Sequence, residues 1–486
     1  MNPKFYLIAV LFLPLLFGCQ STSPKSQWSD LIKAGQFTKA DSTLQSYLAE
    51  NGSKLSDEDR QDLIWQQEWM KRVRIDYPYN RADIIRQMQK RIADFQPAEF
   101  DRWMSEDKFD FRVINGDTLF LYPSVSNLFF RYPDIAKRRL PKPDNSKYEQ
   151  YFWNNYAKIM EAGKDNPNST VVPVKFRVHF TITVDPNAAP ADETIRCWMP
   201  YPRIYAQQTD MKLEESSPQV KWVDRPDSPI RSLYFEQPAA ADQPTVFKAT
   251  YSYTAYSTHH KIDVDKVQRV SLNDSTLKPY MSEQPPHVVF TPELIGLAKK
   301  IVGNQKNPYL QAKALYEWVA KNIQYSYAAE YSTIPNISMY TFNHGYGDCG
   351  QEALLYITLA RSLGIPARWQ SGWYIMPGGK TIHDWTEIYI APYGWIPVEP
   401  YMGIKTQQYM DTLTQEQQDT LTDFYFGNID AYRLMANCNQ NQKLYPAKKY
   451  FRSDNVDFQR GEVEWKGGNI YFNQFSYSLN VEILDQ

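Results

Sequence analysis

Between residues 345 and 399 the sequence collects the parts of a thiol catalyst. Cys349 lies in Gly345-Tyr-Gly-Asp-Cys-Gly-Gln351, His383 lies in Thr381-Ile-His-Asp-Trp-Thr-Glu387, and Glu399 follows Gly394-Trp-Ile-Pro-Val398. A cysteine attacks carbonyl carbon when an imidazole takes its proton, and a carboxylate that holds the imidazole selects the useful tautomer. A lone cysteine is more often a small buried hydrophobe. The three residue types together shift the balance towards chemistry.

Local signals say which elements carry them. Asp348 and Gln351 have capping-box spacing, and Leu354, Leu355, Ile357, Leu359 and Leu363 continue as a largely buried helix that Gly364 and Pro366 stop. Cys349 is then the first helical residue. A helix start lowers a cysteine pKa from about 8.5 to roughly 3.5–7.5, and its unpaired N–H can receive an oxyanion. Upstream, Asn307-Pro308 predicts a helix running to about Asn322, with Leu315, Trp318, Val319 and Ile323 on one face. Downstream, strands are expected over Ser371–Met376, Thr381–Ile390 and Trp395–Glu399, with Pro377-Gly378-Gly379 and Ala391-Pro-Tyr-Gly394 as turns. Strand alternation puts His383, Trp385, Glu387 and Tyr389 on one face and Asp384 on the other. Asp384 is thus a poor orienter for His383, and Glu399 on the neighbouring strand takes that role.

With these residues in place, the segment resembles the transglutaminase-like superfamily, whose core is related to papain. The resemblance rests on G-Y-G-D-C-G with ALLYITLARSLGIPARWQSGW, on H-D-W-T-E-I-Y and on G-W-I-P-V-E-P, from Leu315 to Pro400. Phe426-Gly-Asn-Ile-Asp430 and Asp457-Phe-Gln-Arg-Gly-Glu462 also look like C-terminal extensions of bacterial members. The resemblance implies Cys349 as nucleophile, His383 as base and Glu399 as third member, where the family usually has Asp. It further implies amide cleavage through a thioester, or acyl transfer to an amine as in protein-glutamine cross-linking. The competing reading is a non-catalytic lipoprotein that holds peptide or glycan in the same cleft.

Other candidates are weaker. His344, five residues before Cys349, is a rival base, although a loop histidine is more often merely solvated. His179, His259, His260 and His287 have no cysteine or acidic partners at metal-ligand spacing, so no metal is expected. Gly345-x-Gly347 precedes a cysteine and lacks the third glycine of a nucleotide loop, so no cofactor is expected either. Cys197 and Cys438 could pair across domains or remain two buried thiols.

The rest of the chain supplies compartment and scaffold. Lys4, an apolar run from Phe5 to Phe17, and Leu16-Phe-Gly-Cys19 resemble a bacterial lipoprotein signal in which Cys19 becomes the lipidated first residue. That expectation makes the protein a membrane-anchored lipoprotein of the bacterial cell envelope, periplasmic or surface-facing. A net charge of −2 over 486 residues excludes a global field for nucleic acid. Aromatics reach 15%, which suits large packed sheets and clefts that grip peptides or sugars. The fold class expected is α+β. After the signal peptide at 1–18 come a mainly helical domain at 19–170, closing in a short β element and a loop-rich stretch, and a β-sandwich-like domain at 171–284. A papain-like, transglutaminase-like catalytic domain at 285–405 and a C-terminal β-rich extension at 406–486 follow. The partners expected are a peptide or glycopeptide substrate and, through Cys19, a membrane; the sequence leaves the oligomeric state open.

Overall fold

Val174, Phe176, Val178, Phe180, Ile182 and Val184 alternate along one strand, and all are buried. The computed structural model describes residues 24–377 and 379–485, and in it this strand, Ser169–Val184, is central to a four-stranded antiparallel sheet. Its neighbours are Phe475–Asp485 and Thr245–His259, and Gln208–Ser217 flanks the latter. A second antiparallel sheet runs in the order Gly468–Ile470, Glu462–Trp465, Thr194–Pro200, Ser232–Pro238, Trp222–Val223. The inner faces of the two sheets share a core in which Phe235 and Phe247 meet at 5.9 Å between ring centroids. The C-terminal extension therefore does not stand apart from the middle domain. Three of its strands complete the two sheets.

The α+β segment around Cys349 is built on a third sheet, ordered Gly394–Val398, Thr381–Ile390, Ala367–Tyr374, Arg433–Asn437, all antiparallel. Helices Pro292–Val302, Pro308–Asn322 and Cys349–Ser362 pack on one face, where Leu315, Leu354, Leu355, Ile388, Ile390 and Val398 form one hydrophobic core. Truncating such a side chain to alanine costs about 2–5 kcal/mol, so the helix that carries Cys349 is firmly seated.

The described chain divides into two compact units, one ending at Lys71 and taking in Arg112–Thr118, the other formed by Arg72–Phe111 and Leu119 onward. In the first, helices Pro24–Lys33 and Phe37–Asn51 pack beside the start of Asp57–Asp76, with Trp28 against Tyr47 at 5.1 Å. The second begins with short capped helices around Phe100, Phe109 and Phe120. The stretch expected to be loop-rich holds helix Ser146–Gly163, whose Phe152 and Ile159 are buried in the sandwich core. Its buried positions Glu149, Phe152, Ile159 and Gly163 fall on one helical face, which is seated on that core. Cys19 and the signal segment lie outside the described residues. Among the described residues, no helix is long and apolar enough to cross a membrane.

Candidate active site

The thiol stands where the capping pattern places it. Asp348 Oδ1 accepts from Gln351 N at 3.1 Å, Gln351 Oε1 accepts from Asp348 N at 3.1 Å, and Cys349 is the first residue of the helix Cys349–Ser362. Cys349 itself is half-buried. Gly350 behind it leaves room for a close approach: a Cβ there would lie 2.1 Å from Tyr331 Oη and 2.8 Å from Asp384 Oδ2. Tyr331 uses that space to donate to Asp348 Oδ1 at 2.6 Å.

His383 is held from the other side. His383 Nε2 lies 2.9 Å from Glu399 Oε2 and 3.1 Å from Oε1, with both residues buried. Arg433 donates to the same carboxylate through Nη2 at 2.6 Å and Nε at 3.1 Å, and reaches Asp430 Oδ1 at 3.1 Å. It arrives from the edge strand Arg433–Asn437 at a register shift beside Gly372, which is paired with His383. A Cβ at Gly372 would fall 1.8 Å from Leu434 O, so glycine is required for that strand to approach. Trp385 stacks on the imidazole with centroids 5.8 Å apart, and Tyr401 meets it edge-on at 5.3 Å. Burial alone would raise the Glu399 carboxyl, but His383 and Arg433 together hold it below the ordinary glutamate range. The Arg433 guanidinium and the His383 ring nitrogen on this one buried carboxylate keep it ionised. With Nε2 committed to Glu399, Nδ1 is the nitrogen left for proton transfer.

Cys349 and His383 are not hydrogen-bonded to one another among the described residues. The partner of Cys349 Sγ is Asp384 Oδ2, at 3.6 Å. Catalytic hydrogen bonds often close only around substrate, so this separation is compatible with a resting site. Asp384 lies on the strand face opposite His383, the face that meets the cysteine helix. Gln459 fastens the pair, donating to His383 O at 3.0 Å and to Asp384 Oδ1 at 2.7 Å.

These surroundings reverse one expectation. The helix start alone would depress the thiol pKa, whereas burial pushes Cys349 well up, and Asp384, Asp348 and Glu352 push it further; a backbone hydrogen bond at Asp384 opposes them. The acids respond in kind. Burial raises Asp348 to about 6, and burial with the nearby Asp348 raises Asp384 far above its usual range. Burial and these carboxyl groups all act to favour the neutral thiol over the thiolate at Cys349.

Arg433, Asp430, Gln459 and Tyr331 were not singled out from the sequence. Asp430 and Gln459 do fall in the two C-terminal segments noted above for their resemblance to bacterial members. His344 ends helix Ile337–His344, with Nδ1 on Tyr340 O at 2.8 Å and its ring stacked on Tyr340; its hydrogen bonds do not reach Cys349. His287 is buried, and burial lowers its pKa to about 4. Cys197 and Cys438 are both free and buried. No group of metal-ligating side chains able to hold an ion occurs among the described residues.

Residues 295–400 match the family model of the transglutaminase-like superfamily. The chain carries a transglutaminase-like domain. Over 171 residues it is 27% identical to the uncharacterized protein YebA of Bacillus subtilis, a match covering 31% of this chain and 23% of that relative's length. Among solved structures, a Cytophaga hutchinsonii protein described as a candidate cysteine protease is similar over 65% of this chain and 93% of its own, with 17% identity and a TM-score of 0.41. The periplasmic domain of TgpA from Pseudomonas aeruginosa is similar over 53% of this chain and 96% of its own, with 15% identity and a TM-score of 0.26.

Proposed function

We propose that the protein is a thiol hydrolase of the bacterial cell envelope. It cleaves amide bonds in peptides or in the peptide parts of the cell wall through a thioester on Cys349. The observation that carries this reading is the His383–Glu399–Arg433 chain, built one residue along the strand from the carboxylate that touches Cys349 Sγ. A binding cleft needs neither the nucleophile nor a tautomer-fixed imidazole.

As substrate enters, Sγ attacks the scissile carbonyl carbon and the thiol proton passes to His383 Nδ1. The new oxyanion is received by the Cys349 N–H at the helix start. The imidazolium, stabilised by Glu399, gives the proton to the leaving nitrogen, and the C–N bond breaks to leave the thioester. Water then attacks with His383 again as base, releasing the acid and restoring the thiol. Proton transfer of this kind is worth about 10²–10⁴ in rate. The envelope location rests on the signal and Cys19 read from the sequence.

The test is turnover of a peptide and wall-fragment library in ¹⁸O-labelled water, with Cys349→Ser and His383→Ala as controls. The expected result is one label in the new carboxylate, lost in both variants. Unchanged turnover in Cys349→Ser removes the thiol mechanism. Unlabelled products joined to an amine replace hydrolysis with acyl transfer.

A further inference from the structure

Tyr331 faces the thiol site, and the residue before it opens into a second cavity. Glu330, Asp76, Arg460, Tyr122, Tyr471 and Tyr477 are among the residues lining a space of about 390 Å³. Asp76 is only 3% exposed, yet it reaches this space. Its side chain accepts from Glu330 N at 3.2 Å and Thr333 Oγ1 at 3.1 Å, both on Oδ2. No described residue donates to Oδ1.

The cations nearby are already engaged. Arg460 is clamped by both oxygens of Glu330, lies 3.5 Å from Asp454 Oδ2, and covers the Phe472 ring at 3.5 Å. Arg72 donates to Arg452 O and Ser453 O and lies over the Tyr471 ring at 4.6 Å. Burial and the neighbouring Glu330 carboxylate raise Asp76 to about 7, as expected of a carboxyl short of positive charge. A cavity with tyrosine walls and one open carboxylate oxygen suits an ammonium group, which takes a point contact and ring faces. A guanidinium would ask for two free oxygens, and a calcium or magnesium ion for several.

We propose that this cavity is a substrate subsite that takes a primary ammonium group of the peptide cleaved at Cys349, held by Asp76 Oδ1 among the tyrosines. The assignment rests on the hydrolase reading above and names a feature of its substrate. The two places are linked: Glu330 on the wall is followed by Tyr331, whose hydroxyl binds the Asp348 cap, and Asp348 is close enough to Tyr122 to raise its pKa.

The test uses the full chain carrying Cys349→Ala, so that binding is read without turnover. Titration calorimetry compares Ala-Ala-Ala-amide with its N-acetylated form, and Nα-acetyl-Lys-amide with its Nε-acetylated form. The expected result is about 10–100-fold weaker binding when the amine is acetylated, the range for losing one charge-assisted hydrogen bond. Asp76→Asn should impose the same loss on the free amines. Lowering the pH from 8 to 6 should weaken them as Asp76 takes up its proton, with Glu330, Arg460, Arg72, Tyr122, Tyr471 and Tyr477 as the other titratable groups facing it. Tyr122→Ala, at a residue 49% exposed, tests the wall without disturbing the core and should weaken the free amines alone. The pair that responds identifies an amino terminus or a side chain as the source of the ammonium. Equal binding of free and acetylated ligands overturns the subsite. If that occurs while wild-type protein still cleaves peptides, the hydrolase reading stands without it. Selective amine binding with no cleavage of any peptide overturns the hydrolase reading instead.

Discussion

Replacing Glu399 by Gln keeps the shape of the side chain and removes its charge. In the native site both carboxylate oxygens face His383 Nε2, while Oε1 also receives two donors from Arg433. A glutamine can offer its oxygen to Arg433 only by turning its amide towards Nε2, donor against donor. The imidazole then shifts its proton to Nδ1, the nitrogen that must be empty to deprotonate Cys349. The equivalent change in a serine triad costs about 10⁴ in turnover. A thiol gives up its proton more readily than a hydroxyl, so kcat should fall by about 10–10³ with KM little changed. Stability falls as well. Breaking a buried ion pair costs about 3–5 kcal/mol, but Arg433 keeps Asp430, so about 2–4 kcal/mol at pH 7 is expected. The pH dependence separates charge from packing. Glu399 is held below its ordinary value of 4.5, so the stabilisation is complete above about pH 4.5 and drains away as acid approaches the native pKa. The wild type should lose up to about 1.4 kcal/mol per pH unit in that window from this residue, and the variant nothing. Steady-state kinetics and urea unfolding between pH 7 and 3 measure both. A wild-type kcat, or a stability gap that stays constant across the whole range, would refute the reasoning.

Gly350→Ala places a methyl group against Tyr331 Oη, so the hydroxyl must leave Asp348; about 1–3 kcal/mol of stability should be lost in chemical unfolding. Asp384→Asn removes the carboxyl that, after burial, does most to raise the Cys349 thiol, so its alkylation profile should move to lower pH; an unmoved profile clears Asp384 of that role. Cys19→Ala should abolish labelling by radioactive palmitate and shift the protein out of the detergent phase in phase partitioning, because several acyl chains are needed for a stable anchor. Unchanged partitioning would end the lipoprotein reading.

What was legible in the sequence was what neighbouring residues decide among themselves. Asn307-Pro308 and Asp348 with Gln351 mark helix starts by satisfying orphan N–H groups locally, and both helices begin where those residues put them. The strand Thr381–Ile390 followed from its flanking turns. Alternation separated His383 from Asp384, but only packing of the cysteine helix decides which face Asp384 meets. The thiol pKa failed for the same reason: a helix start is local, whereas Asp384 comes from a strand over thirty residues away. Arg433 was out of reach altogether. Its place depends on the register of the edge strand Arg433–Asn437 against Ala367–Tyr374 and on a glycine that lets the two backbones close.

The interleaving of the last strands with the middle sheets also sets an order of assembly. Arg177 and Glu482, ion-paired across two neighbouring strands, lie 305 positions apart. Pairings this distant close very long loops, so they form late and slow the folding of sheet proteins. The arginine on Glu399 and the glutamine on His383 O both follow Cys349 by more than eighty positions. A polypeptide emerging residue by residue therefore holds Cys349 long before His383 is held in place by Glu399 and Arg433. On the function proposed above, a fragment broken off ahead of Arg433 would carry Cys349 without the arginine that holds Glu399 against His383.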